Sequence, residues 1–129
     1  MPSSQQAWVT VRAEATEHLA TAGDVGRPPS ELAREFPDLA AAGVFGTLPD
    51  VWWFSPPSKP NCCARRIVGT NESRDQSRVR TRAFRKWIMM QTSSELVVFG
   101  HSTFFKYFMM NEGLGEMRLK NGEVFTLKL

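Results

Sequence analysis

The stretch VVFGHSTFF, residues 97–105, holds two adjacent side chains that could do chemistry, His101 and Ser102. Either would stand at a turn between a buried strand and a helix. A serine-hydrolase elbow reads G-x-S-x-G, and Gly100-His101-Ser102-Thr103 fills four places before Phe104 takes the fifth, where a glycine lets strand and helix approach closely. Such hydrolases supply their base histidine after the serine. None follows Ser102, and His18, the other histidine, lies far upstream. His101 suits phosphate chemistry better. At the carboxyl end of a strand, it projects into the crevice where open α/β sheets bind ligands. The N–H groups of Ser102 and Thr103, at the start of a helix, would favour an anion in the same place. The placement also suits a histidine that only caps the turn.

The elements that must hold this turn can be read around it. Glu95-Leu96-Val97-Val98-Phe99 is an apolar run too short for a helix, which predicts a strand buried on both faces of a parallel sheet. Phe104, Phe105, Phe108 and Met109 repeat at helical spacing up to Gly113 and Gly115. Before the strand, Ser73-Arg74-Asp75-Gln76 has the form of a capping box and predicts a long helix to about Gln91. Val79, Ala83, Trp87 and Met90 form its apolar stripe, flanked by Phe84 and Ile88, with Arg78, Arg82, Arg85 and Lys86 as a solvated side. Two further strands are predicted, a short one over 7–12 and a last one over 123–129, where Phe125, Leu127 and Leu129 alternate. The first leads into a turn or helix at Glu14 to Leu19. A loop holds Gly23, Gly26, Pro28 and Pro29, and Ser30 then N-caps a two-turn helix ending at Pro37. A helical turn is expected at Leu39 to Ala42. Otherwise Asp38 to Arg66 reads as a long irregular segment, with an exposed Trp52-Trp53-Phe54 between prolines.

The whole chain of 129 residues fits one domain, 1–129, and its nine Phe and four Trp are those of a folded protein. A net charge of +3 suits anionic ligands and falls short of a nucleic-acid-binding patch. Cys62 and Cys63 are adjacent and supply neither a metal-ligand spacing nor a disulfide framework, so a reducing compartment is expected. There is no signal-like start and no run of roughly eighteen apolar residues. These features predict a soluble cytoplasmic protein with no metal, no cofactor and no membrane partner.

SELVVFGHSTFFKYF, preceded by ESRDQSRVRTRAFRKWI and followed by LKNGEVFTLKL, resembles the carboxyl-terminal portion of the histidine phosphatase superfamily, the phosphoglycerate mutase-like proteins. EHLATAGDVGRPPSELAREFPDL and the later WWF resemble the region just past the family's acid–base glutamate. The resemblance implies an α/β fold of three layers, with a mixed, mostly parallel sheet and helices on both faces. It also implies phosphate-ester hydrolysis or transfer through a phosphohistidine, with a phosphorylated small molecule or phosphoprotein as partner. Glu17 takes the place of the proton donor, with Glu14 as second choice. His101 is the second, phosphate-holding histidine, and the main-chain N–H of Ser102 helps to hold the phosphate.

The chain departs from the family in what it lacks. It contains no Arg-His-Gly, the motif that carries the nucleophilic histidine and the first phosphate arginine, and sixteen residues precede Glu17. The expectation is an incomplete fold, truncated at the amino terminus and inactive or nearly so as a phosphomonoesterase. A non-catalytic phosphate-binding or interaction module, using His101 and the Trp-rich loop, is the alternative, and an α/β-hydrolase comes third.

Overall fold

The computed structural model describes residues 8–54 and 71–129. Their regular structure is four α-helices, α1 (Pro29–Glu35), α2 (Pro37–Ala41), α3 (Arg74–Met89) and α4 (Ser102–Asn111), with two 3-10 turns at Ala13–Ala15 and Ala22–Asp24. Cys62, Cys63 and the rest of the irregular segment beyond Phe54 lie outside the described residues, as does Ala7.

α3 starts where its capping box lies. The Ser73 hydroxyl accepts from the Gln76 N–H at 3.2 Å, and the Gln76 side-chain oxygen accepts from the Ser73 N–H at 2.8 Å. Two orphan donors are thereby satisfied at once. α4 follows His101 and ends at Gly113, whose φ of 78° lets the chain turn back so that the Leu114 N–H reaches the Met109 carbonyl at 3.0 Å. α1 begins two residues earlier than the Ser30 cap implied: Pro28 is the N-cap and Pro29 takes the first helical position, where its missing N–H costs nothing.

Among the described residues two hydrophobic clusters form. Val44, Phe45 and Leu48 gather Leu32 and Ala33 of α1, Ala40 of α2, and Trp52. Phe84 of α3 and Phe104 and Phe108 of α4 form the other, with Trp87, Ile88 and Phe105 beside them. The segment from Val11 to Ala15 serves both, since Val11 and Ala13 pack on the first cluster and Ala15 on the second.

The expected mixed parallel sheet is corrected by the structure: the described residues are helical and contain no strand. The segments over 8–12, 95–100 and 123–129 carry no regular structure, and among the described residues no backbone hydrogen bond joins one to another. Alternation and β-branched composition favour an extended chain, but a strand also needs a partner that completes the ladder. Here side chains, not backbone ladders, attach two of these segments to the helices. Val98 and Leu127 pack on the Phe84–Phe104–Phe108 cluster, while Val97, Phe99 and Val124 are 82%, 90% and 89% exposed. α3 and α4 thus cover one side of them, in place of helices on both faces.

The buried side of α3 also differs from the apolar stripe. Val79 and Met90 are exposed, and the buried residues are Ser77, Thr81 and Phe84. The helix turns a polar row inward because that row has partners. Thr81 Oγ1 donates to the Ser77 carbonyl at 3.0 Å and lies 2.8 Å from Asn111 Nδ2 of α4. Nor is the Trp loop exposed throughout: Trp53 is buried and meets Trp52 edge-on. No helix among the described residues is long and apolar enough to cross a membrane.

Candidate functional site

His101 is the N-cap of α4, with extended backbone angles (φ −107°, ψ 155°) and no capping bond from its side chain. Its carbonyl accepts from the Phe105 N–H at 3.0 Å, so the N–H groups of Ser102 and Thr103 precede the helix's first i to i−4 bond. A Cβ on Gly100 would lie 3.2 Å from the Phe105 ring and 3.3 Å from Phe104. Glycine there lets the incoming chain lie close over the first turn, which leaves the His101 ring outside, 61% exposed.

Glu17 meets it there. Its Oε2 lies 3.3 Å from His101 Nδ1, while its Oε1 accepts the His18 main-chain N–H at 2.7 Å. The two residues assigned to acid and phosphate ligand therefore share one exposed spot, though they come from opposite ends of the chain. Glu14, the second choice for the acid, is engaged elsewhere by a two-pronged contact with Arg12, at 2.6 and 3.1 Å. Ser102 is half-buried at the helix start.

A second carboxylate lies within electrostatic range of the imidazole. Asp24 sits below the usual carboxylate range: partial burial, the largest single influence, pushes it up, but the N–H groups of Thr21 and Ala20 and the Thr21 hydroxyl outweigh that, helped by charge on His101. These donors lie at 2.7, 3.0 and 3.0 Å. With its pKa depressed on folding, Asp24 stabilises this turn fully above about pH 4, and the contribution is lost as pH falls through the folded value. The Ala20 and Thr21 amide resonances should hold steady from neutral pH to about pH 4 and move below it. In Asp24→Asn they should not titrate. Unchanged titration of both amides in that variant would show that another group is their partner.

Sequence reasoning missed a buried polar cluster directly behind Glu17. His18 Nδ1 lies 2.8 Å from Ser77 Oγ and 3.5 Å from Glu72 Oε2, and its ring packs 5.7 Å from that of Tyr107. This is a serine, a histidine and a glutamate in contact, yet not a nucleophilic triad. Both partners crowd one ring nitrogen, whereas a triad places serine and acid on opposite nitrogens. Ser77 is also fully buried and out of reach of any substrate. Arg80 completes the cluster, forking onto both Glu72 oxygens at 2.9 Å each and donating to the Glu14 and Thr16 carbonyls at 2.7 Å each. The signal for it was present as Ser77 and Thr81, small polar residues four apart on a helix, which mark a buried face only if the partners are known.

As chemistry, the spot offers one imidazole, two free N–H groups and two carboxylates. Of the described arginines, Arg80 is committed to Glu72 and the backbone and Arg12 to Glu14, so neither of these two reinforces the positive end. No group of three or more metal-ligating side chains occurs among the described residues. No protein-family model, curated protein or solved structure matches the chain.

Proposed function

We propose that the chain is a histidine phosphatase-like protein that binds phosphate monoesters weakly at the His101 end of α4 and does not turn them over. The observation that carries this reading is the 3.3 Å approach of Glu17 Oε2 to His101 Nδ1 at the exposed helix start. In this reading His101 and the N–H groups of Ser102 and Thr103 hold the phosphoryl oxygens, and Glu17, when protonated, faces the ester oxygen. No sheet is required, because an extended segment ending at Gly100 and one helix suffice to present the ring.

Turnover fails for want of a nucleophile. No Arg-His-Gly is present in this chain, and residues acting as one catalytic unit lose most of their effect when an essential member is missing. Affinity is limited for a related reason. Asp24 and Glu17 oppose an anion, and without the family's Arg-His-Gly arginine the expected dissociation constant is about millimolar, or about 4 kcal/mol.

Phosphate-ester turnover at background, with inorganic phosphate shifting the His101, Ser102 and Thr103 resonances in an NMR titration, is the expected result. His101→Ala should abolish those shifts. Ser102→Ala, which keeps the main-chain N–H, should preserve binding. Turnover abolished by His101→Ala would overturn the inactive reading, and turnover abolished by Ser102→Ala would restore the hydrolase.

A further inference from the structure

We propose that Arg80 is the positioning residue of the Glu17–His101 site, acting through the backbone of residues 14–19. The proposal rests on the reading of that pair as the phosphate site and adds what holds it in register.

The chain from Glu14 to Leu19 has no ladder to fix it, yet it must aim Glu17 at His101. Four main-chain groups around Glu17 are tied to Arg80 and Glu72, three by their side chains and one by the Glu72 main-chain N–H. Arg80 Nη1 donates to the Glu14 and Thr16 carbonyls at 2.7 Å, on the amino side. On the other side, the Glu72 N–H donates to the Leu19 carbonyl at 3.0 Å, and Glu72 Oε2 accepts the Leu19 N–H at 3.3 Å. The two clamps are joined, because Arg80 and Glu72 form a forked salt bridge. Glu72's carboxylate is 1% exposed and Arg80's side chain 14%, so neither head group can wander into solvent.

Side-chain direction completes the device. His18 reaches inward to Ser77, Glu72 and Tyr107, whereas its neighbour Glu17 reaches outward to His101. A guanidinium is suited to this task, since its planar fork serves a carboxylate and two carbonyls together, whereas a lysine ammonium is a point charge on a flexible stem.

The test uses the full chain and reads the pair directly. In the parent, Glu17→Gln should move the imidazole carbon and nitrogen resonances of His101. In an Arg80→Lys background, which keeps the charge facing Glu72 but not the fork, the same replacement should leave them unmoved. Inorganic phosphate should bind about tenfold more weakly to Arg80→Lys, the scale on which supporting partners of a ligand side chain act. A second background, Arg80→Met with Glu72→Leu, removes both charges and guards against a folding defect. It should lose the response likewise, with the α3–α4 core resonances retained. If His101 still responds to Glu17→Gln in either folded background, or fails to respond in the parent, the positioning role is overturned. If the response follows the proposal but phosphate binds nowhere, the clamp stands and the phosphate reading fails.

Discussion

Phe104→Ala lowers stability by about 3–5 kcal/mol, a large part of the roughly 5–15 kcal/mol that holds a typical native domain together. Phe104 is 1% exposed and stands against Phe84 (5.3 Å, edge-on), Phe105 (5.3 Å, edge-on) and Phe108 (6.2 Å). Truncation therefore removes a ring from the centre of an aromatic group and leaves a cavity lined by side chains fixed to two helices. The same residue lies in the first turn of α4, which His101 caps, so the loss should reach the site as well. Urea denaturation of the variant should show a lower midpoint or no cooperative transition. Phe104→Leu should fall between it and the parent. A change below about 1 kcal/mol for the alanine variant would show that the aromatic group is not the core of α3 and α4.

Glu72→Ala is expected to cost a similar amount, about 3–5 kcal/mol, by stranding the Arg80 guanidinium without a counter-charge. The Leu19 N–H and His18 lose their nearby oxygen in the same change. Desolvating both charges already offsets much of their attraction, so replacing both at once behaves differently. Glu72→Leu with Arg80→Met should cost far less than Glu72→Ala alone. Denaturation midpoints of the three proteins decide it. A double variant as unstable as the single one would mean that the ion pair, not the stranded charge, supplies the stability.

The helices were legible because their signals are local. A capping box is complete within Ser73 to Gln76, and the α4 pattern of Phe104, Phe105, Phe108 and Met109 ends at a glycine that takes positive φ. The sheet was misread because its signal is not local. Leu96 to Phe99 has the composition of a central strand, but pairing depends on segments elsewhere, and those over 8–12 and 123–129 do not pair with it. The buried face of α3 was misread for a related reason. Ser77, Thr81 and Arg80 are polar, and only their contacts with His18, Asn111 and Glu72 show why they are sheltered. At the site, His101 could be named from its position at a turn, and Glu17 only from a resemblance. Neither route indicated Arg80, whose partners are main-chain carbonyls that carry no residue code.

The path of residues 11–19 ties the two hydrophobic clusters into one thermodynamic unit. This thread lies on the Phe45 cluster at Val11 and Ala13, on the Phe84 cluster at Ala15, and reaches His101 at Glu17. Melting either cluster would free the thread and dissolve the pair, so the two halves are expected to share a single cooperative transition rather than fray apart. Linkage then runs in reverse. A ligand held between Glu17 and His101 at a concentration equal to its dissociation constant adds about 0.4 kcal/mol to the whole unit, and that increment protects Phe45 as much as it protects Phe104.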